Sequence, residues 1–413
     1  MKDYILSGLR ALDLTDEKGF ACGKIMASLG IETIKIEKPG GDKSRKTSPT
    51  LTTNNGEEIS LNWLAFNTDK LGITLDIDSP QGKEIFKRLV QKSDFVIESF
   101  MPGYLDRIGL GYEVLSEINP GIIMTSITPF GQKGPYANFK GSELIVSAMS
   151  GVMDSNGDPD RPPVREGPDS ITFHSCAAAV LGSLIAYHYK VKTGEGQQVD
   201  VSMQEVAVTR TSSNLIVWEF DKKLIKRNST IRTVGARSTR WIWECKDGYV
   251  FWAYMGGPGG APANRAIAQW ISEEGLDNPF KEITDWDEFD MASIPKEELD
   301  IQQEAISRLF NLHTKKELAQ ESLKRGLRIS VIQNPADILE DIQLESRDYW
   351  SYLEHPELGL KLRYPKYFFL SNLTENFIRK RAPYPGEDNE YVYCNILGLT
   401  KSELEILRRE KII

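Results

Sequence analysis

The alternation of apolar and polar positions in the first forty residues predicts a strand, a helix and a second strand. An apolar run begins at Leu9, and helical spacing then places Phe20, Ile25 and Met26 on one side of a helix that ends at Gly30. Residues 31–37 alternate between apolar and polar side chains, which is the period of a strand. Two strands joined by a helix in this way are usually parallel neighbours in one sheet.

The same order of elements returns farther along the chain. Strand-like runs separated by helical patterns lie at residues 72–76, 94–98, 122–128 and 198–202. This repetition predicts an α/β fold with a doubly wound, Rossmann-like parallel sheet. The turn after the first strand lacks a GxGxxG pattern, which argues against a dinucleotide fingerprint.

The composition of the sequence changes from about residue 218. Four of the eight tryptophans lie between Trp218 and Trp252, among several arginines. A hairpin is expected at residues 241–252, and the run MGGPGGA follows it. A glycine-rich loop of this kind lets backbone approach a ligand, moves as a lid, or forms a flexible surface turn.

Composition and charge argue against several classes of function. The 413 residues carry a net charge of −9, which argues against general nucleic-acid binding but leaves room for a local basic pocket. Neither a signal peptide nor a run of about eighteen apolar residues is apparent, so we expect a cytoplasmic protein. The four cysteines have no CxxC spacing and the four histidines are dispersed, so we expect no metal site.

One acidic residue, Glu143, follows a loop rich in glycine and proline and precedes an apolar helical pattern. The helix is expected to begin near Ser142, which places Glu143 in its first turn. A negative charge there usually stabilises the helix start, so spacing alone favours a structural role over a catalytic one. The Gly-Gly turn beside Lys38 is suited to binding phosphate, although a solvated loop is the more common explanation of such a turn.

Four stretches in the correct order resemble the family III CoA-transferases, which include formyl-CoA and carnitine CoA-transferases. They are LSGLRALDLT with SLGIETIKIEKPGGD, ESFMPGYLDRIGLGYEVLSEINPGIIMTSITPFGQKGPY, GSELIVSAMSG and KTGEGQQVDVSMQE, and together they span nearly the whole chain. The portion from RPPVRE to VDVSMQE is most similar to subunits of aromatic-succinate CoA-transferases of the benzylsuccinate type.

The resemblance implies a Rossmann-like large domain built from both chain ends. Residues 1–212 and 328–413 form that domain, residues 213–327 form linkers and a small domain, and two ring-like subunits interlock as a homodimer or a heteromer. It implies transfer of CoA from an acyl-CoA to a carboxylic acid, with coenzyme A as substrate and carrier and no permanently bound cofactor. An aspartate of the family attacks the thioester and forms mixed-anhydride and enzyme–CoA thioester intermediates.

The same resemblance assigns the nucleophile to Glu143, where glutamate replaces the family's aspartate. The extra methylene moves the attacking oxygen by roughly an ångström, a displacement that can cost about a hundredfold in rate. The alternative is therefore a non-catalytic CoA-binding or structural subunit of a heteromeric transferase. A racemase, which would need a histidine and an aspartate near the thioester, is disfavoured because only His174 lies close to the motif region.

Further site residues follow from the resemblance by position. Residues expected to contact CoA are Glu17, Lys18, Gly19, Lys38, Asn67, Lys70, Glu98, Ser99, Phe100, Arg107, Lys133 and Tyr136. The residues expected to close over the reacting carboxylate and to donate backbone hydrogen bonds to the thioester oxyanion are Gly256, Gly257, Gly259 and Gly260. The sequence does not identify the acceptor acid. An aromatic or apolar acid is favoured by three tryptophans, Trp218, Trp241 and Trp243.

Overall fold

Strands and helices alternate through most of the chain in this computed structural model, which describes residues 4–53, 56–167, 169–228, 230–234, 237–356, 358–366, 368–372 and 378–413. The strands are β1 (Arg10–Leu14), β2 (Glu32–Glu37), β3 (Thr50–Thr52), β4 (Glu58–Ser60), β5 (Leu71–Thr74), β6 (Phe95–Glu98), β7 (Ile123–Thr128), β8 (Gln198–Ser202), β9 (Ile231–Val234), β10 (Arg237–Arg240), β11 (Ile242–Cys245), β12 (Gly248–Phe251), β13 (Ser330–Ile332), β14 (Trp350–His355) and β15 (Leu360–Pro365).

The helices follow the same chain order. They are α1 (Phe20–Ser28), α2 (Leu61–Phe66), α3 (Pro80–Val90), α4 (Tyr104–Arg107), α5 (Tyr112–Ile118), α6 (Glu143–Met149), α7 (Ser170–Thr193), α8 (Met203–Thr209), α9 (Ser212–Asp221), α10 (Gly257–Glu273), α11 (Lys296–Asn311), α12 (Lys315–Arg325), α13 (Pro335–Leu339), α14 (Ile342–Ser346) and α15 (Lys401–Arg409).

The chain divides into two compact units. The first contains residues 1–153, 165–223 and 344–413, and the second contains residues 154–164 and 224–343. Both chain ends belong to the first unit. The division predicted from the sequence, with boundaries after residues 212 and 327, stays a prediction.

A parallel sheet forms the centre of the first unit, in the order β5-β2-β1-β6-β7-β8. Counted by chain order within the sheet, this is the 3-2-1-4-5-6 order of the Rossmann fold. Every neighbouring pair in it is parallel. The prediction of an α/β fold with a parallel sheet is therefore confirmed.

Helices cover both faces of this sheet, and four of the five β1 residues are buried between them. In β1, Ala11 packs into the cluster that includes α1 and α7, whereas Leu12 packs into the cluster that includes α3 and the C-terminal segment. Successive strand residues point to opposite faces, so a strand covered on both sides becomes a continuous apolar run. This is why β1 is readable from the sequence as a buried strand.

An ionised cluster lies inside this apolar core, centred on Asp13 of β1. The Lys70 ammonium donates to Asp13 Oδ2 at 2.7 Å, and the Thr15 hydroxyl donates to Asp13 Oδ1 at 2.6 Å. Both ionised side chains of the Asp13–Lys70 pair are fully buried. Burial favours the neutral form of Asp13, but Lys35 and Lys70 outweigh it and hold the pKa of this carboxyl below its ordinary value.

The second unit is built around aromatic side chains on β11, β12, α10 and α11. Trp243 is fully buried, and its indole N–H donates to the carbonyl oxygen of Trp252 at 2.9 Å. Trp243 is therefore a core residue of this unit. The hairpin predicted at residues 241–252 is confirmed as β11 paired with β12.

The glycine-rich loop expected at residues 256–260 is instead the start of helix α10. Gly256 caps α10, and Gly257, Gly259 and Gly260 lie in the first turn of that helix. A Cβ at Gly260 would lie 1.9 Å from the carbonyl oxygen of Met255, and one at Gly256 would lie 2.6 Å from that of Phe289. At these two positions glycine permits close backbone packing at a helix start.

Helix α7 passes the length and composition test for a membrane span. Thirty-nine per cent of its most apolar window is buried inside the protein, where the helix packs against α1, β7 and α8. These contacts place one face of α7 in the core of the first unit.

Replacing Lys70 tests the buried cluster. Lys70→Met leaves Asp13 with one distant lysine, at 3.4 Å, so we expect the free energy of unfolding to fall by about 3 to 5 kcal/mol, measured by urea unfolding. Lys87→Met is the control, because Lys87 forms an exposed pair with Glu84 on α3 and its loss should cost about 0.5 kcal/mol or less. Equal losses in the two variants would contradict a stabilising role for the cluster.

Candidate active site

The order in which the chain adds strands to the sheet reverses between β1 and β6, and a crevice opens at the carboxyl ends of these two strands. From β1 the chain proceeds to β2 on one side, whereas β6 and β7 lie on the other side. In open α/β sheets, ligands bind at such a reversal point because the loops diverge there. Leu14 ends β1 beside Glu98 of β6, so the following turns, residues 15–19 and 99–103, border the crevice.

The turn after β1 is held from several directions. The Ser99 hydroxyl donates to Asp16 Oδ1 at 2.8 Å and accepts from the Asp16 amide at 2.8 Å. The Lys18 ammonium pairs with the Asp16 carboxylate, and the Cys176 thiol on α7 donates to the Lys18 carbonyl oxygen at 3.3 Å. Gly19 completes the turn where a Cβ would lie 2.4 Å from the Thr15 side chain.

Two cavities meet at this turn. The first, of about 300 Å³, lies over the crevice and is lined by Leu14, Ser99, Phe100 and Lys140 among others. The second, of about 290 Å³, is bordered by Glu17, Phe20 and Glu143. Lys18 and Gly141 line both cavities, so the two form neighbouring compartments of one site.

The Glu143 carboxylate reaches across from α6 to the first turn of α7. The Ile171 amide donates to Oε1 at 3.2 Å, and the Thr172 hydroxyl donates to Oε2 at 2.8 Å. Unpaired amides and the helix dipole make the start of a 24-residue helix favourable for a negative charge. The side chain is half-buried and lines the second cavity, so it is both held in place and open to a ligand.

A carboxylate bordering a cavity beside a sheet crevice suits acyl-group chemistry, and comparison with known proteins agrees. The model of CoA-transferase family III matches residues 6–389. The chain belongs to CoA-transferase family III. It is 32% identical over 414 residues to the succinyl-CoA:(R)-benzylsuccinate CoA-transferase subunit BbsE of Thauera aromatica, covering 98% of this chain and 97% of that protein.

Other members of the family match over nearly the same length. The succinyl-CoA–D-citramalate CoA-transferase of Chloroflexus aurantiacus is 29% identical, covering 95% of this chain and 94% of that protein. The crystal structure of a CAIB/BAIF family protein from Brucella suis superposes with a TM-score of 0.83 at 25% identity, covering 95% of this chain and all of that one. Proteins of CoA-transferase family III transfer CoA between acyl-CoA thioesters and carboxylic acids, and this chain is a transferase of that class.

Several residues expected to contact CoA border the crevice of this CoA-transferase. Lys18, Ser99 and Phe100 line the first cavity, and Glu17 lines the second and accepts a hydrogen bond from the Ser44 hydroxyl at 2.9 Å. Lys38 follows β2, and its ammonium pairs with Asp78 at 2.7 Å, which raises the pKa of Lys38.

The remaining expected contacts divide between the surface and the interior. Arg107 lies at the end of α4 against the Tyr104 ring, and Lys133 and Tyr136 are exposed in the loop after β7. Asn67 and Lys70 are buried; the Lys70 ammonium donates to Asp13, Asn67 Oδ1 and the Phe20 carbonyl oxygen. These hydrogen bonds support the turn from behind, and contact of Asn67 and Lys70 with CoA stays a prediction.

Glu98 ends β6 as a buried carboxyl group beneath the crevice. The Phe100 amide donates to Glu98 Oε2 at 2.7 Å. Burial nevertheless raises the pKa of Glu98 to about 7, because it disfavours the charged form more than this hydrogen bond stabilises it. Through its hydrogen bond to the amide, Glu98 holds the backbone of Phe100, which lines the first cavity.

Sequence reasoning did not single out four further residues of the second cavity, Phe66, Asp169, Thr172 and Phe173. Asp169 directly precedes α7 with a left-handed backbone (φ 61°). An aspartate immediately before a long apolar helical run was a readable signal, because aspartate is favoured at helix starts. Nothing in the local pattern indicated that this helix start faces Glu143. Among the described residues, no cluster of three or more His, Cys, Asp or Glu side chains is arranged to hold a metal ion.

The raised pKa of Glu98 predicts a pH-dependent stability. Unfolded glutamate releases its proton near pH 4.5, whereas folded Glu98 retains it until about pH 7, so this group lowers the free energy of unfolding as the pH rises through that window. Glu98→Gln removes the effect. The stability of the variant relative to the native protein should increase by about 3 kcal/mol between pH 4 and pH 8, measured by urea unfolding.

The exposed Glu117 on α5 provides a matched control for this measurement. Glu117→Gln should leave the difference from the native protein unchanged over the same pH range, since this exposed side chain stays in contact with water in the folded and the unfolded state. A stability difference between Glu98→Gln and the native protein that does not change with pH would contradict a pKa raised by burial.

Proposed function

We propose that this CoA-transferase moves CoA from an acyl-CoA to a carboxylic acid through covalent intermediates on Glu143. The observation that carries the proposal is the position of the Glu143 carboxylate, which borders a cavity adjoining the sheet crevice and is fixed by two donors from α7. A fixed carboxylate in a partly enclosed cavity can act as a nucleophile toward a bound thioester.

The proposed reaction proceeds in balanced steps. Glu143 attacks the acyl-CoA carbonyl carbon, the C–S bond breaks, and a mixed anhydride and CoA thiolate result. The thiolate attacks the glutamyl carbonyl, which releases the donor acid and leaves a glutamyl–CoA thioester. The acceptor carboxylate then attacks the glutamyl–CoA carbonyl, and the C–S bond breaks to give a second mixed anhydride and CoA thiolate. The thiolate attacks the acceptor's acyl carbonyl, which gives the new acyl-CoA and restores Glu143.

The hydrogen bonds to Glu143 are compatible with this chemistry. Each carboxylate oxygen has two lone pairs, so the Ile171 amide and the Thr172 hydroxyl leave further lone pairs for attack. Both donors hold the group in one orientation, and such pre-organisation lowers the entropic cost of reaching the attacking geometry.

We propose that CoA lies along the crevice with its thioester toward Glu143. The backbone of Ser99 and Phe100 suits the pantetheine arm, and Lys18 borders this arm where the two cavities meet. Lys38, Arg107 and the exposed Lys133 supply positive charge for the phosphates. The aromatic ring of Tyr136 and the turn at Glu17 and Gly19 complete the proposed contacts. The gating role assigned to Gly256, Gly257, Gly259 and Gly260 remains a prediction.

We propose that the chain works as an interlocked dimer or with a related subunit in the cytoplasm. Helix α9 supports this, because none of its residues is buried although Leu215, Ile216, Trp218 and Phe220 are apolar; the Phe220 side chain is 84% exposed. A contiguous apolar surface of this kind usually marks a protein interface. The relative from Thauera aromatica is itself named as a subunit.

A second candidate function rests on a specific observation. Both oxygens of Glu143 accept hydrogen bonds from the start of α7, so the residue also serves as a cap for that helix. In a heteromeric transferase, this chain would then be the CoA-binding subunit and its partner would carry the nucleophile.

Trapping the intermediate distinguishes the two candidates. Incubation with acyl-CoA and hydroxylamine, followed by mass spectrometry, should convert the Glu143 side chain to a hydroxamate, and Glu143→Ala should lose activity by a factor of about 10³ or more. Glu113→Gln, an exposed glutamate on α5, is the control and should retain full activity. Label on another carboxylate, such as Asp169, or activity of Glu143→Ala in the complex with a partner would overturn the assignment to Glu143.

A further inference from the structure

The cavity beside Glu143 combines an aromatic wall with a surplus of negative charge. From this combination we infer that it accepts acyl groups whose portion beyond the reacting carbonyl is uncharged and aromatic or apolar, and that it discriminates against a second carboxylate. The inference rests on the proposed function only in placing the reacting carbonyl at Glu143.

Phe66 and Phe173 form the accessible part of the apolar wall, and Phe20, which is 1% exposed, borders the cavity from the core. The Phe20 ring meets Trp63 edge-on at 5.2 Å between centroids, and the Phe173 ring packs against Phe368 at 6.0 Å. Aromatic rings supported in this way favour an aromatic guest, since such ring pairs contribute beyond the burial of apolar area.

The ionised side chains on the cavity surface oppose a second carboxylate. Glu17 and Asp169 line it in addition to Glu143, and among its described lining residues Lys18 is the one cation. The Lys18 ammonium is already paired with Asp16. A distal carboxylate in this cavity would therefore face uncompensated negative charges in partly desolvated surroundings, which is unfavourable.

The acids named for two relatives differ in charge from the acyl groups that this cavity is inferred to accept. Benzylsuccinate and citramalate are both dicarboxylic acids. A pocket that binds a dicarboxylate usually supplies a cation for the distal carboxylate, and arginine suits that task best. The charges around Glu143 in this chain have the opposite sign.

Matched acids that differ by one carboxyl group provide the test. 4-Phenylbutanoate is 2-benzylsuccinate without one carboxylate, and propanoate has the same relation to succinate. With the purified protein, together with any subunit that copurifies, we expect kcat/KM for 4-phenylbutanoate to exceed that for 2-benzylsuccinate by at least about tenfold. A preference for the dicarboxylate of each pair would overturn the inference.

The affinities for the CoA thioesters of the same acids, measured by calorimetry, test the inference without requiring turnover. Tighter binding of 4-phenylbutanoyl-CoA than of 2-benzylsuccinyl-CoA without any turnover supports the inference and counts against Glu143 as nucleophile. Equal binding of the two thioesters, or binding of neither, overturns the inference whatever the activity.

Two variants separate the charge from the aromatic wall. Asp169→Asn removes one charge and retains a residue that tolerates the left-handed backbone, so it should improve the binding of 2-benzylsuccinyl-CoA relative to that of 4-phenylbutanoyl-CoA about tenfold. Phe173→Leu should weaken 4-phenylbutanoyl-CoA and spare propanoyl-CoA. The exposed Glu117→Gln should alter neither ratio; an equal change in that control would assign the effect to overall charge and contradict the inference.

Discussion

The buried carboxylate of Asp13 is the constraint on which the site depends. Its oxygens bind Lys70 and Thr15, and Lys70 in turn binds Asn67 and the Phe20 carbonyl oxygen. A charge in an apolar core is tolerated only when its hydrogen bonds are satisfied, so these groups must keep their positions together. The cluster thereby fixes the turn after β1 and the start of α1 from behind.

The same close packing restricts the sequence of α1. A Cβ at Gly23 would lie 2.2 Å from Asp13 Oδ2 and 2.8 Å from the Lys70 ammonium, so the ion pair requires a glycine within this helix. Glycine in a helix interior costs about 1 kcal/mol relative to alanine. That cost is small beside the loss of a buried ion pair, and it is offset by a turn that stays rigid where the two cavities meet.

The sheet was predictable from the sequence, whereas the composition of the site was only partly so. Strands β1, β6 and β7 are short, mostly apolar runs, β2 alternates between polar and apolar residues, and helical patterns separate these strands. These signals are local. The burial of Lys70 depends on Asp13, which is 57 residues distant, and the meeting of Glu143 with Thr172 joins two helix starts. At residues 256–260, glycine and proline suggested a loop, but backbone packing against Phe289 selected glycine at the start of a helix instead.

The glutamate at position 143 has a geometric explanation in the separation of α6 and α7. Its carboxylate spans from the first residue of α6 to the amide of Ile171 and the hydroxyl of Thr172 on α7. An aspartate, shorter by one carbon–carbon bond of about 1.5 Å, would leave both hydrogen bonds too long unless the helices moved closer. The extra methylene thus allows Glu143 to keep both hydrogen bonds that join α6 to α7. Any chemistry at this carboxylate takes place from a position set by α7 as much as by α6.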